Sequence, residues 1–155
     1  MRVGEALALT LNDIDFEQNI VSITKTYYRI VGKDLINPPK TAGSERTILM
    51  PDFLTAELLD YVGHLYEPAP DDRIFNKRPQ YVRSVLRDRA KKAGIKQIRV
   101  HDLRHSHASM LINLGANPLL VAERLGHESP AITLKTYSHL FPSTQNDIVS
   151  KIKKI

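Results

Sequence analysis

Residues 101–139 read HDLRHSHASMLINLGANPLLVAERLGHESPAITLKTYSH, and three consecutive helices are predicted within them. The first helix runs from His101 to Leu114 and is stopped by Gly115, since glycine is common just past a helix end. At 100° per residue, the residues that we expect to face the core fall on one side of this helix: Leu103, His107, Met110, Leu111 and Leu114. The opposite, polar side carries three other groups: His101, Arg104 and His105.

The two helices that follow are short, and each has residues that open or close a helix. Asn117-Pro118 supplies an N-cap and a first-turn proline, and Gly126 closes the same helix. Ser129-Pro130 opens the third helix, which carries Tyr137. A further helix is predicted over residues 143–155, with isoleucine and valine on its apolar side.

Upstream of these helices lies a strongly basic segment, residues 73–99. It holds ten basic residues and one acid, so its own net charge is +9. The formal net charge of the whole chain is +5, and the remaining residues together therefore carry −4. A localised positive field attracts a polyanion, and DNA phosphates are the expected target. A solvated surface helix is the alternative interpretation. The residues that we expect to contact DNA are Arg78, Arg83, Arg87, Lys91 and Lys92.

The first half of the chain is predicted to form a small antiparallel sheet followed by helices. Residues 20–28 and 46–50 alternate β-branched or aromatic residues with polar ones, as strands do. Residues 38–44 contain the prolines and glycine of a turn, so Lys40 is expected near a hairpin tip. Two amphipathic helices follow, the first with Leu54, Leu58, Tyr61, Val62 and Leu65 on one face, and the second, over residues 80–93, with Val82, Val85, Leu86, Ala90 and Ala93 buried. The predicted fold class is therefore α+β and mostly helical.

The composition limits the classes of function that this protein can have. The chain has 155 residues, enough for one domain, and no cysteine, so disulfides and thiolate metal sites are excluded. We find neither a long apolar run nor a signal peptide, and expect a cytoplasmic protein with no membrane partner. His101 and His105 have the spacing of a zinc protease helix but lack its glutamate, so no metal site is expected. His107, on the apolar face, is predicted to be buried with a backbone partner.

Five motifs occur in a fixed order along the chain. They are Arg2-Val3-Gly4-Glu5, Lys40, residues 101–108, Leu125-Gly126-His127 and Thr136-Tyr137-Ser138-His139. Together they resemble the signature boxes of the tyrosine recombinases, the integrases of phages and integrative elements in bacteria. The resemblance extends from residue 2 to about residue 141, and it implies a catalytic domain that cuts and rejoins DNA for integration or excision.

The resemblance also implies a role for each matching residue. Arg2 and Arg104 match the two arginines that bind the nonbridging oxygens of the scissile phosphate, and Glu5 matches the acid that supports the first of them. His127 matches the histidine that donates a hydrogen bond to the phosphate. Lys40 matches the lysine that protonates the departing 5′ oxygen.

Two further matches concern the nucleophile. Tyr137 matches the tyrosine that attacks phosphorus, and His101 matches the residue assigned to proton transfer from it. Chemistry supports this assignment, since a phenol of pKa about 10 needs a base and nearby cations to react at neutral pH. The product would be a 3′-phosphotyrosyl bond and a free 5′-hydroxyl. No cofactor is implied.

The resemblance extends to partners and domain organisation. The expected partner is double-stranded DNA, on which the full-length protein would act as a homotetramer in the nucleoid, while this chain alone would be a monomer. Residues 1–155 are expected to be a catalytic domain without the amino-terminal core-binding domain, and its opening residues to be the tail of a longer helix. Two alternatives stay open: a nicking and closing enzyme like type IB topoisomerases, and a DNA-binding remnant without catalysis.

Overall fold

The computed structural model describes residues 1–39 and 42–141. Six helices occur in this part of the chain: α1 (Val3–Ala8), α2 (Asp52–Gly63), α3 (Pro79–Lys92), α4 (Val100–Asn113), α5 (Pro118–Leu125) and α6 (Pro130–Tyr137). Five short strands lie between α1 and α2: β1 (Ile14–Asp15), β2 (Ile20–Ile23), β3 (Thr26–Ile30), β4 (Lys33–Asn37) and β5 (Arg46–Leu49). The predicted α+β class, mostly helical with a small antiparallel sheet near the amino terminus, is confirmed.

The strands form two sheets rather than one. β2 pairs with β1 and β5 in an antiparallel three-stranded sheet, while β3 and β4 form a separate antiparallel ribbon. The strand predicted over residues 20–28 is broken at Lys25. This lysine binds the buried Asp13 carboxylate at 2.9 Å and the Thr10 hydroxyl at 3.0 Å, so the chain leaves the first sheet at that point.

The hairpin prediction near Lys40 is wrong. The turn of the ribbon lies at Val31 and Gly32, both with positive φ, as a two-residue hairpin turn requires. The segment after Pro39 connects β4 to β5, which belong to different sheets. Lys40 itself is outside the described residues. β4 has no apolar alternation because all of its residues are exposed, and this is why the sequence did not predict it.

Two main apolar clusters hold the described part of the chain together. One lies on the three-stranded sheet and is formed by Leu9, Val21, Ile23, Ile48, Met50 and Ile74, with Leu58 and Val62 of α2 against it. The other joins the carboxyl-terminal helices through Ala108, Ile112, Val121, Leu125 and Tyr137. A smaller cluster of Leu7, Ala8 and Tyr27 packs α1 against the ribbon. The candidate site lies where α1 meets the helical part.

Parts of the predicted helix faces are wrong. On α2, Leu54 and Tyr61 are exposed, since only the side facing the sheet is covered. On α3, Val85 and Ala93 are exposed, while Ala90 is buried and Val82 packs near α1. The helix therefore packs along a narrower strip than its apolar residues suggest.

The predicted core face of α4 is wrong in part, although Leu111 packs against the carboxyl-terminal cluster as expected. The buried positions are Arg104, Ala108 and Ile112, at a spacing of four residues, whereas Leu114 is 76% exposed and Met110 50% exposed. Ala108 is fully buried and small, so α5 can approach closely on this side. The interior side of α4 thus includes Arg104 from the side that looked polar in the sequence, whereas His101 of that side is exposed.

The ends of α5 and α6 agree with their predicted boundaries. The Asn117 side chain accepts a hydrogen bond from the Leu120 amide at 2.8 Å, and Gly126 has φ +68° after the last turn of α5. Ser129 precedes α6 as its N-cap residue. The helix predicted over residues 143–155 lies outside the described residues. None of the helices within residues 1–39 and 42–141 has the length and hydropathy that crossing a bilayer requires.

Candidate active site

A cleft of about 480 Å³ lies between α1, α4 and the turn from α5 to α6. Five of the residues singled out in the sequence line it: Arg2, Glu5, His101, Arg104 and His127. They come from positions up to 125 residues apart along the chain, yet they surround one space with two guanidinium and two imidazole groups. Such a set of donors fits the oxygens of a phosphate.

Arg2 is fixed by the acid three residues later. The residue is extended and immediately precedes α1, so it caps a short helix and does not belong to the tail of a longer one as we expected. The Glu5 carboxylate accepts hydrogen bonds from the Arg2 backbone amide at 2.6 Å and from its guanidinium at 2.8 Å. The predicted support of Arg2 by Glu5 is thus present as a contact.

Arg46 is a member of this cluster that we did not single out from the sequence. Its side chain is 5% exposed and donates to Glu5 at 2.9 Å. It also donates to two backbone carbonyls, those of Arg124 at 3.0 Å and Ser44 at 2.8 Å. One signal was available: Arg46 shares a strand face with Ile48 and Met50, because side chains alternate along a strand.

Arg46 links the Glu5 cluster to the turn that carries His127. A methyl group on Gly126 would lie 2.6 Å from a guanidinium nitrogen of Arg46. An added methyl group would have to displace the Arg46 guanidinium, and the positive φ of Gly126 favours glycine as well. Burial would raise the pKa of Glu5, but hydrogen bonds from Arg46 and Arg2 outweigh it and lower that pKa to about 2.

Arg104 is 6% exposed, and it projects from α4 toward the end of α5. One of its terminal nitrogens donates to the Leu125 carbonyl at 2.6 Å. The other, Nη1, is buried without a hydrogen-bond partner among the described residues. Burial lowers the pKa of Arg104 to about 10, so it stays charged near neutral pH. An unpaired donor of a buried cation beside the cleft is suited to an anionic oxygen.

The two cleft histidines are neutral near pH 7. Burial, with the charges of Arg104, Arg2 and Arg46, lowers the pKa of His127 to about 4. Its Nδ1 lies 2.8 Å from the hydroxyl of the buried Thr133. When that hydroxyl donates to Nδ1, the ring carries its proton on Nε2 and can donate there. The pKa of His101 is lowered too, by burial and then by His105 and Arg104.

Tyr137, the expected nucleophile, is 4% exposed and does not line this cleft. Its hydroxyl is 2.7 Å from Nδ1 of His105. Burial raises the pKa of Tyr137, an effect that the charge of Arg104 partly opposes. His105 was placed on the same helix side as His101 and Arg104, but it was given no role. Its position four residues after His101 was the signal that could have marked it.

The predicted DNA-contacting residues and His107 do not line this cleft. The basic residues of α3 and its N-cap are exposed as expected: Arg78, Arg83, Arg87, Lys91 and Lys92. His107 is half-buried, but the expected backbone partner is wrong. Instead, the Arg124 guanidinium donates to its Nε2 at 3.2 Å, since α5 packs beside α4 at this point.

Comparison with known proteins gives a consistent set of relatives. The sequence model of the phage integrase family matches residues 1–144. The chain is 29% identical to the ICEBs1 integrase of Bacillus subtilis over 172 aligned positions, covering 98% of the chain and 45% of that protein. It is 31% identical to the tyrosine recombinase XerA of Pyrococcus furiosus, covering 86% of the chain and 44% of that protein. The chain thus spans a little under half the length of these relatives.

Solved structures match the fold. The Tn1549 transposon integrase in complex with transposon right end DNA superimposes with a TM-score of 0.83 at 21% identity, covering 100% of this chain and 55% of that one. The catalytic domain of bacteriophage HP1 integrase superimposes with a TM-score of 0.63 at 24% identity, covering 97% of this chain and 73% of that one.

Proposed function

Because the chain belongs to the phage integrase family, we propose that it is the catalytic part of a site-specific recombinase that cleaves and rejoins DNA through a 3′-phosphotyrosine. The observation that carries this proposal is the cleft that Arg2, His101, Arg104 and His127 line together. Tyr137 lies next to it, held by a residue of the helix that supplies His101 and Arg104.

In this proposal the cations bind the scissile phosphate and stabilise its transition state. Arg104 offers its unpaired Nη1, and Arg2 is oriented by Glu5. Charge builds up on the nonbridging oxygens during attack, so donors fixed before the reaction contribute most. His127 donates from Nε2. Removal of one such donor typically costs about 10²- to 10³-fold in rate.

The reaction is an exchange of phosphoester bonds. The Tyr137 oxygen attacks phosphorus and forms a 3′-phosphotyrosyl bond, while the bond to the 5′ oxygen breaks and that oxygen leaves as a hydroxyl. Lys40 is proposed to provide its proton. The energy of the broken bond is kept in the new one, so the reverse step can reseal a strand.

The basic residues of α3 are proposed to bind the DNA backbone beside the cleft. They are exposed and supply five of the ten basic side chains of residues 73–99. Contacts to phosphates position a protein without reading sequence, and binding should weaken steeply as salt increases. We further propose that the full-length protein is the tetrameric, nucleoid-bound recombinase and that residues 1–155 form its catalytic domain.

A nicked suicide duplex from the attachment site of the element tests the function. The chain is incubated with this DNA in EDTA, and covalent protein–DNA adducts are separated on a denaturing gel. We expect an adduct with the unchanged protein and none with Tyr137→Phe. Tyr81→Phe is the matched control, because Tyr81 is an exposed tyrosine outside the cleft.

Three outcomes of this experiment are distinct. An adduct that requires Tyr137 supports the proposal. An adduct that persists in Tyr137→Phe overturns Tyr137 as the nucleophile. DNA binding without any adduct, with this chain and with the full-length protein, would indicate a binding remnant.

A further inference from the structure

We propose that His105 takes the proton of Tyr137 when the phenol attacks phosphorus, a role that family resemblance would give to His101. The inference rests on the proposed function. It concerns one residue of α4 that is not needed for phosphate binding, since His105 does not line the cleft of Arg2 and Arg104.

The contact between His105 and Tyr137 is direct. Nδ1 of His105 lies 2.7 Å from the phenolic oxygen, within hydrogen-bonding distance. The two rings are 5.8 Å apart and tilted by 58°. A candidate base has to reach the proton that it removes, and His105 meets this requirement.

His101 does not meet it in this structure. Among the described residues, His101 forms no hydrogen bond with Tyr137, and its ring lies edge-on against His105 with centroids 4.8 Å apart. His101 lines the cleft, where it is next to the expected phosphate position. The geometry therefore separates two tasks: His101 faces the phosphate side, and His105 contacts the nucleophile.

His105 also has a route for the proton to leave. The residue borders a surface groove of about 680 Å³, lined as well by Asp102, Ser106 and Ser109. A proton accepted from Tyr137 can pass from the imidazolium to water in this groove. The same opening admits small bases from solution, which makes a rescue experiment possible.

The step balances as an acid–base exchange. Before attack, His105 carries its proton on Nε2, and Nδ1 accepts the phenolic hydrogen bond. During attack the oxygen–phosphorus bond forms, the bond to the 5′ oxygen breaks and the phenolic proton moves to Nδ1. The 5′ oxygen takes a different proton, the one that Lys40 is proposed to provide. In rejoining, the imidazolium returns its proton to the tyrosine.

The charged and titratable neighbours of His105 come from three elements. On α4 these are His101, Asp102 and Arg104, on α6 it is Tyr137, and after α5 it is His127. Asp102 favours an imidazolium, although its carboxylate is already bound to Arg99. Arg104 opposes the imidazolium but favours the phenolate, so its charge assists departure of the proton from Tyr137.

Chemical rescue is the decisive experiment. Single-turnover adduct formation on the suicide duplex is measured for His105→Ala, His101→Ala and the exposed control His64→Ala, with and without added imidazole. We expect His105→Ala to be slower by about 10²-fold with unchanged DNA affinity. Imidazole should restore part of its rate, with a dependence on pH that follows free imidazole base. His64→Ala should behave as the unchanged protein.

Other results overturn the inference. Full-rate adduct formation by His105→Ala would do so while leaving the proposed function intact, as would rescue of His101→Ala alone. Absence of adduct from the unchanged protein would count against the function and against any catalytic role of His105.

A second measurement does not depend on activity. In nitrogen-15 histidine spectra, Tyr137→Phe should move the Nδ1 resonance of His105 and leave His64 unchanged. If the His105 resonance does not move, the hydrogen bond is absent in solution, and the inference fails even if His105→Ala cannot be folded.

Discussion

On one side of the candidate site the Glu5 carboxylate binds two guanidinium groups, whereas on the other side the Tyr137 hydroxyl has one partner, His105, among the described residues. We call these the phosphate side, formed by Arg2, Glu5 and Arg46, and the nucleophile side, formed by His105 and Tyr137. The phosphate side joins α1, β5 and the end of α5 through charged hydrogen bonds. The nucleophile side joins α4 and α6 through one hydrogen bond beside the apolar packing of the Tyr137 ring.

The difference indicates which part is ready before DNA binds. Donors that stabilise a transition state are most effective when they need no rearrangement, and the phosphate side has this property. In the proposed reaction Tyr137, which is buried and does not line the cleft, has to shift toward the phosphate while its hydroxyl keeps the hydrogen bond to His105. A group that must move is better held by apolar packing and one hydrogen bond than by several ion pairs.

The largest effect on stability is expected from Glu5→Gln. This substitution leaves Arg46, a buried cation, without its anionic partner, and loss of one member of a buried pair costs about 3 kcal/mol or more. Urea unfolding of the two proteins measures the change. Asp34→Asn is the control, because Asp34 pairs with Arg29 at the surface, and we expect a clearly smaller loss. If both variants lose the same unfolding free energy, the phosphate side is held no more firmly than a surface ion pair.

Acid should weaken the phosphate side in a defined range. The pKa of Glu5 is lowered from 4.5 to about 2 in the folded protein, so its contribution is complete above pH 4.5 and is lost as the pH falls toward 2. The shift corresponds to about 3 kcal/mol. Urea unfolding at pH 6 and pH 3 should show that the gap between the unchanged protein and Glu5→Gln narrows at the lower pH. A gap independent of pH would exclude this carboxylate as the cause.

Sequence predicted those features of the site that depend on neighbouring residues. The N-cap of α5 and the glycine that ends it follow from local chemistry, and the structure has both where they were predicted. The Glu5 contact to Arg2 spans three residues. These features fix the boundaries of α5 and the start of α1, and through them the positions of His127 and Arg2.

Features that depend on distant partners were missed. Arg46 is buried because Glu5 and the Arg124 carbonyl accept from it, and these lie 41 and 78 residues away. Arg104 turns inward because the Leu125 carbonyl accepts its hydrogen bond from another helix. A helix-face analysis treats arginine as a surface residue and therefore assigned the wrong side of α4 to the core. β4 was also missed, because its pairing with β3, and not an alternation of apolar residues, makes it a strand.

Gly126→Ala, at the end of α5, tests how firmly Arg46 of the phosphate side is held. Any residue with a side chain is strained at this positive φ, by about 1–2 kcal/mol. Gly94→Ala is the matched control, because Gly94 has φ +65° but no atom within 4 Å of an added methyl group. We expect Gly126→Ala to cost about 1 kcal/mol more, since its methyl group would displace the Arg46 guanidinium. If the two variants lose the same unfolding free energy, the Arg46 guanidinium moves aside at little cost.

The smallest effect on stability is expected where the effect on chemistry is greatest. Tyr137→Phe removes the proposed nucleophile and one hydrogen bond, but it keeps the ring in the cluster with Ala108 and Leu125. His105, which loses this partner, is only partly buried and borders a surface groove, so water can replace the hydroxyl. The free energy of unfolding should therefore fall by about 1 kcal/mol or less. If urea unfolding instead shows a loss as large as that of Glu5→Gln, Tyr137 is as firmly fixed as the phosphate side, and the shift of Tyr137 into the cleft becomes untenable.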